Sequence, residues 1–139
     1  MATLHPQMTY YAGDTIMWDV ICKDADGVPV NLSGINVDLK VNDPYGVNVE
    51  SYSIIGGVIV GGLEILDMAG GKIGITLPAS RTKDYMAGYY RDHMRLMVPE
   101  PGFESIVISE LVGYIFIKPA LKPAVVTLIP GGLSVHPPV

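Results

Sequence analysis

Cysteine is almost absent from this sequence, since Cys22 is the single one among 139 residues. A lone thiol cannot form a disulfide within its own chain, so the fold is not expected to depend on oxidation. Cys22 lies in an apolar run, which predicts a small buried side chain. A catalytic cysteine would need a histidine partner, and nothing in the sequence around His5, His93 or His136 indicates one.

Charged residues are also scarce. They make up 17% of the chain, whereas about 25% is usual for a soluble domain. The nine basic residues are scattered and the net charge is -5, which argues against a nucleic-acid partner. A domain of this size has much surface for its volume, so we expect another chain to cover part of that surface.

Long apolar runs are missing too, because no run reaches the ~18 residues that a membrane helix needs. The longest candidate, residues 106–117, is interrupted by Ser109, Glu110 and Gly113. The first residues lack the basic start and the unbroken apolar core of a signal peptide. We therefore expect no membrane partner and a protein that is made in the cytoplasm.

What the sequence does have is alternation with a period of two, the period of β-strands. Ile16, Trp18, Val20 and Cys22 fall on one face of residues 15–23. Similar apolar runs occupy residues 35–42, 47–54, 72–77, 89–98 and 104–118. Residues 58–66 are apolar but broken by Gly61-Gly62, which predicts a bulge or a hairpin.

Turn signals separate these runs, among them Asp26-Gly27, Asp43-Pro44-Tyr45-Gly46 and Pro99-Glu100-Pro101-Gly102. Short strands at this spacing predict an all-β fold, an antiparallel β-sandwich (Ig-like or jelly-roll) of about seven to eight strands. Residues 78–86 differ, because Ser80 or Thr82 is a candidate N-cap. We expect one short helix there.

The two ends of the chain differ from its middle. We predict an N-terminal arm at residues 1–10, a β-sandwich domain at 11–118 and an extended Pro/Gly-rich tail at 119–139. From Pro123 onward the tail has no charged side chain, although a free tail is normally polar. The alternative for the tail is an added strand on its own sheet. We expect both ends to contact another subunit through the apolar residues Leu4, Met8, Val125, Val126, Leu128, Ile129, Leu133 and Val135.

Residues 23–34 read KDADGVPVNLSG and place two carboxylates, Asp24 and Asp26, at a spacing that could share a metal. A calcium loop needs further oxygen ligands and a closing glutamate. This stretch lacks them, so we interpret it as a turn. No histidine has a second one at zinc-ligand spacing. The sequence thus predicts no cofactor, no metal and no catalytic residue.

Asp92 shares a strand face with Met94, Leu96 and Val98, so it is buried if that face points into the core. The alternative is a position near the open end of the strand. A buried carboxylate needs a partner. The candidate partners are Arg81, Arg91 and Arg95.

Several short motifs follow one another in a recognisable order: YAGDT at residues 11–15, KDADGVPVNLSG at 23–34, GKIGITL at 71–77, AGYY at 87–90 and ELVGYIFI at 110–117. This order resembles the immunoglobulin-like β-sandwich modules of tailed-phage virion structural proteins, including the N-terminal domain of upper baseplate proteins. The sequence departs from that pattern at Asn31, Asp92 and His93. The resemblance implies a structural role in the virion without catalysis.

Three functions fit these features. The first is a non-enzymatic virion structural protein of a phage, a tail baseplate or tail-fibre connecting module that acts through subunit interfaces. It would bind other phage structural proteins and form a trimer or higher homo-oligomer. The second is a capsid decoration or cement protein. Either would reside in the virion after assembly in the host cytoplasm.

The third function is a carbohydrate-binding module. Sugar-binding surfaces favour exposed aromatic side chains. The candidates are Tyr45, Tyr52, Tyr85, Tyr89 and Tyr90. Trp18 falls on a face that reads as core, which weakens this alternative.

Overall fold

In a computed structural model, which describes residues 2–99, 106–120, 125–129 and 132–136, the chain forms a β-sandwich. The larger sheet has seven strands: β1 (Ala2–Leu4), β2 (Met8–Tyr11), β4 (Asn36–Asn42), β5 (Asn48–Ile55), β6 (Val58–Val60), β9 (Gly88–Val98) and β10 (Ile106–Lys118). Their order is β1-β10-β9-β4-β5-β6, and β2 also pairs with β10. The smaller sheet consists of β3 (Ile16–Ile21), β8 (Lys72–Leu77) and β7 (Leu63–Asp67), in the order β3-β8-β7.

The core lies between these two sheets and follows the predicted alternation. On the smaller sheet, Ile16, Val20, Ile73, Ile75 and Leu77 are buried, as expected. The larger sheet contributes Val37, Leu39, Val41, Tyr90, Met94, Leu96, Ile115 and Ile117. Cys22 is buried among them, and burial raises the pKa of its thiol to about 11. The all-β sandwich is therefore confirmed.

The strands outnumber the predicted seven or eight for two reasons. Residues 2–4 and 8–11, predicted as an arm, lie in parallel along β10 as β1 and β2. The apolar run at residues 58–66 is divided into β6 of the larger sheet and β7 of the smaller one. Gly61 has a φ of +89°, and a Cβ on Gly62 would lie 2.0 Å from the carbonyl oxygen of Thr76. The two glycines thus let the chain cross between the sheets at close range.

The stretch KDADGVPVNLSG forms a turn stabilised by Asp24. The Asp24 carboxylate accepts hydrogen bonds from the backbone N–H groups of Asp26 and Val28, at 2.9 and 3.0 Å. The N–H of Gly27 donates to the Asp24 carbonyl oxygen, and Gly27 has a φ of +77°. The turn interpretation is confirmed, because the carboxylate that resembled a metal ligand binds its own backbone.

One helix, α1 (Ala79–Thr82), lies within the predicted segment. Its N-cap is Pro78, without a side-chain hydrogen bond, so the prediction of Ser80 or Thr82 as N-cap is wrong. The hydroxyl of Thr82 is fully buried and donates to the backbone oxygen of Asp14. This bond ties the helix to the turn that precedes β3.

Within the predicted tail, β11 (Val125–Ile129) and β12 (Gly132–His136) pair with each other in antiparallel orientation. That part of the tail is therefore a β-ribbon rather than a single extended segment. The expected hairpin loop at residues 99–102 lies largely outside the described residues. The strands that flank it, β9 and β10, are antiparallel neighbours.

Candidate functional site

The residues predicted to contact another subunit lie in two separate places. Leu4 and Met8 belong to β1 and β2, on the edge of the larger sheet, and Met8 is partly buried against the core. The tail residues belong to the ribbon of β11 and β12, which pairs Val126 with Val135 and Leu128 with Leu133. In the same register Val125 pairs with His136, and Ile129 pairs with Gly132. Whether any of these residues contacts another subunit stays a prediction.

A third apolar surface was not predicted, and it lies on the far edge of the larger sheet. Strand β6 ends the sheet, next to β5. Ile55, Val58, Ile59 and Val60 are 53%, 65%, 47% and 56% exposed. We call these four residues the β6 patch. Natural edge strands are usually protected by charge, proline, a bulge or short length, and β6 is short, with three residues. The β6 patch contains neither a charged residue nor a proline.

The best-defined polar feature is a buried contact between His5 and Asp92. His5 lies between β1 and β2, and its Nε2 is 2.8 and 2.7 Å from the two carboxylate oxygens of Asp92. Asp92 is 2% exposed, in the middle of β9. The Nδ1 atom of His5 is 2.7 Å from the carbonyl oxygen of Pro6. Both ring nitrogens thus face oxygen acceptors, and both can donate only when the imidazole is protonated.

The hydrogen bond to Asp92 raises the pKa of His5, and burial opposes this rise without cancelling it. The other ring close to His5 is that of Trp18, at 6.2 Å between centroids, and it carries no charge. The contact therefore favours the protonated form of the imidazole more than water does. The contact joins the first residues of the chain to the core.

Gly113 makes room for this contact. A Cβ at Gly113 would lie 1.9 Å from Nε2 of His5. Gly113 of β10 pairs with Asp92 of β9, so the ring of His5 lies over the backbone of β10 to reach the carboxylate behind it. We call the position formed by Asp92, Gly113 and the edge of β10 the histidine slot.

The prediction that an arginine pairs with Asp92 is wrong. Arg81 binds Glu50, with 2.7 Å between Nε and Oε1, and Arg95 binds Asp38 at 2.8 Å. Arg91 is exposed on the opposite face of β9. The isolated histidine near the chain start and the glycine within a strand were the available signals for the true partner. Neither signal shows from sequence alone that the first residues return to β10.

A second polar cluster surrounds the buried carboxylate of Glu50. Its Oε1 atom accepts hydrogen bonds from Arg81 and from the hydroxyl of Tyr85, the latter at 2.8 Å. Burial, with Glu50 nearby, raises the pKa of Tyr52 to about 12 and that of Tyr85 further. Arg81 also donates to the backbone oxygen of Val49. The cluster attaches the helical segment to β5, and its groups satisfy one another.

His93, next to Asp92 in sequence, faces away from the core. Its Nε2 lies 3.5 Å from Oε2 of Glu110, and the pair makes no hydrogen bond. Both side chains are more than a third exposed. The Nε2 atom itself is covered and has no hydrogen-bond partner among the described residues, so the contact with Glu110 is loose and worth little to stability.

The tyrosines proposed for a sugar platform do not share one surface. Tyr52 and Tyr90 are buried, and Tyr85 stacks on Tyr90 at 4.9 Å between ring centroids. Tyr45 and Tyr89 are the exposed members of the set. Tyr89 packs against Phe116 at 4.7 Å, while Tyr45 lies in the turn after β4.

The sandwich has a cavity of about 430 Å³ at one end. Among the described residues its lining is mostly apolar and includes Leu32, Ile35, Ile54, Ile65 and Met68. The cavity lining has no acidic, basic or imidazole group there, so the cavity offers no acid–base chemistry. In the part of the chain that the structure describes, no three side chains of metal-binding type come together. Among those residues, no helix is long and apolar enough to cross a bilayer.

No family model matches the chain, and no curated protein matches it. The solved structures that match the chain include two with low TM-scores. The N-terminal domain of phage TP901-1 ORF48 has a TM-score of 0.48 at 11% identity, over 84% of this chain and 94% of that one. A family 123 glycoside hydrolase from Clostridium perfringens has a TM-score of 0.32 at 10% identity, over 88% of this chain and 24% of the hydrolase. Neither likeness carries an inference about function.

Proposed function

We propose that this chain is a non-enzymatic structural protein of a phage virion, a module that connects parts of the tail through contacts with neighbouring subunits. The observation that carries the proposal is the β6 patch. Four aliphatic residues at a sheet edge, Ile55 and Val58 to Val60, are about half exposed or more, with no charge among them. A surface of this kind is typical of sites that another protein covers.

The composition agrees with a covered surface. Charged residues are few, and other large apolar side chains, including Met17, Ile21, Leu66 and Met68, are exposed on or beside the smaller sheet. Burying such surface is worth roughly 25 cal/mol per Å², less the cost of ordering the partners. Several copies in a symmetric particle would add their contacts together.

The assignment to a phage particle rests on the sequence motifs. YAGDT precedes β3, KDADGVPVNLSG forms the turn between β3 and β4, and ELVGYIFI lies within β10. Each motif therefore lies at a strand or at a turn between strands, as the sequence pattern predicts. The tail location, at a baseplate or fibre attachment, is part of the proposal.

The test is to purify particles of the phage that encodes this chain and to identify their proteins by mass spectrometry. We expect the chain in stoichiometric amount, and antibody labelling at the tail in electron micrographs. Labelling over the capsid would instead indicate that the chain is a capsid cement protein and not a tail module. Absence from purified particles would overturn the proposal.

The predicted contact of the tail ribbon has its own test. A chain that ends at Lys122 loses β11 and β12 but keeps both sheets of the sandwich. We expect it to fold and to enter particles less efficiently than the full chain, because the uncharged ribbon is missing. Equal incorporation would show that the ribbon makes no essential contact.

A further inference from the structure

We propose that the histidine slot is an exchange site, which a second copy of this chain fills with its own N-terminal segment, residues 2–11. The segment comprises β1, β2 and His5. This inference goes beyond the proposed function, because it holds for the purified chain whether or not the protein belongs to a virion. The occupant is a copy of the same sequence, so every contact seen within one chain can form between two.

The first argument is that the slot requires an occupant. Without His5, the carboxylate of Asp92 would remain in the core without a cation, which is costly for a buried charge. The edge of β10 would also lose the backbone partners that β1 and β2 supply. An N-terminal segment is therefore needed at all times, and the contacts do not depend on which copy supplies it.

The second argument is that the segment is attached along one side. In the described part of the chain its strand partner is β10, with Ala2–Leu4 beside Glu110–Val112 and Met8–Tyr11 beside Ile115–Lys118. Pro6 interrupts the segment between its two strands, where it has no N–H to donate. A terminal segment with a single strand partner can leave without breaking the hydrogen bonds between the other strands.

The third argument is the hinge between β2 and β3. The chain turns from the larger sheet to the smaller one within residues 12–15. Gly13 has a φ of +94°, and the turn is closed by a hydrogen bond from the N–H of Asp14 to the carbonyl oxygen of Tyr11, at 3.0 Å. If this short turn extends, the segment points away from its own body and toward a neighbour. Short hinges of this type favour exchange between protomers.

The fourth argument is that the slot is selective. It needs a side chain that donates to Asp92 from a ring lying over Gly113, and His5 fits because Gly113 lacks a Cβ. A partner strand of another sequence would have to offer the same group at the same register. A second copy offers it by identity.

The experiment uses two full-length variants with different affinity tags, produced in the same cell. His5→Ala retains the slot but has no matching donor. Gly113→Ala retains the donor but blocks its own slot. Exchange allows the N-terminal segment of Gly113→Ala to fill the intact slot of His5→Ala, and we expect this pair to co-purify about tenfold more than either variant with itself.

Equal recovery of all three combinations would mean association through another surface and would overturn the proposal. Recovery of none would also overturn it. Gly74→Ala, in a strand of the smaller sheet, replaces Gly113→Ala as the matched control. Its Cβ would meet the movable side chain of Leu66 at 3.2 Å, and its own slot stays open to its own segment.

A second measurement keeps His5 in place, in case His5→Ala does not fold. Leu4 and Val112 are register partners of β1 and β10, so we replace both by cysteine; Cys22 is buried and stays as it is. After oxidation at high concentration, exchange predicts disulfide-linked dimers or longer chains on a non-reducing gel. Monomers alone, or no cross-link between chains, would overturn the proposal.

Discussion

The two edges of the larger sheet differ in how their strands are covered. At the β10 edge, β1 and β2 complete the hydrogen bonding, and His5 fixes them through a buried contact with Asp92. At the other edge, β6 is three residues long, and the aliphatic side chains of the β6 patch are exposed. The chain thus covers β10 with its own N-terminal strands, whereas at the β6 edge it leaves aliphatic side chains exposed.

Because of this difference, we expect substitutions at one edge to change the stability of the fold and substitutions at the other edge to change association. Changes at the β10 edge disturb a buried charge and should affect the free energy of unfolding. Changes at the β6 patch alter side chains that already contact solvent, so they should affect binding and leave folding almost unchanged. The following variants test that separation.

The largest effect is expected from His5→Ala, which leaves the Asp92 carboxylate buried without its partner. We expect a loss of about 3 kcal/mol in the free energy of unfolding, the lower end of the range for broken buried pairs. Urea unfolding at neutral pH measures this loss. The matched control is His93→Ala, at a loose surface contact, with an expected change within about 0.5 kcal/mol. Similar losses for both variants would contradict the special role of the slot.

Gly113→Ala should have the next largest effect. The new Cβ would occupy the place of His5 Nε2, so the ring or the strand must move, at a cost of about 1–3 kcal/mol. Hydrogen exchange should then show faster exchange in β1 and β2 than elsewhere. If Gly74→Ala, with a movable neighbour, destabilised the protein equally, the clash with His5 would not be the cause.

The pH dependence of stability gives a smaller, directional test. Because the folded pKa of His5 is raised, chiefly by its hydrogen bond to Asp92, the folded state holds the proton more tightly than the unfolded state does. The resulting stabilisation is complete below the unfolded pKa of about 6.5 and is lost as pH rises through the folded pKa. We expect the Tm of the wild type to decline across this window relative to His5→Phe/Asp92→Leu. A constant difference between the two proteins would contradict the linkage.

Val58→Lys at the β6 patch should have the smallest effect on folding. Val58 is 65% exposed, so we expect the free energy of unfolding to change by less than about 0.5 kcal/mol. A lysine on an edge strand discourages pairing with another chain, so particle incorporation or self-association should fall. Unchanged association would show that the β6 patch is not a contact surface.

The sandwich could be predicted from the sequence because its core follows a period of two. Ile73, Ile75 and Leu77 alternate with positions that are partly exposed, and the structure buries all three. The turn at Asp24 was also predictable. The same arrangement recurs at Asp43, whose carboxylate accepts from the N–H groups of Tyr45 and Val47. Local chemistry decides features of this kind.

The histidine slot could not be predicted, since it joins residues 87 positions apart in sequence. The alternation of β9 put Asp92 on the same face as apolar residues, but the candidate cations were arginines. Arg81 and Arg95 bind other carboxylates, and Arg91 is exposed on the opposite face. The β6 patch was missed because residues 58–66 read as one apolar run. The division of that run between two sheets depends on the close approach of Gly62 to Thr76.

The parallel pairing of β1 and β2 with β10 has a mechanical consequence. Because β1 and β2 run in the same direction as β10, the start of β1 and the end of β10 lie at opposite ends of the paired strands. A force that pulled these two ends apart would load the interstrand hydrogen bonds in shear, all together, instead of peeling them one at a time. All the hydrogen bonds between β10 and the strands β1 and β2 would thus resist tension along the chain together. The contact of the His5 ring with Asp92 would oppose sliding of these strands along β10.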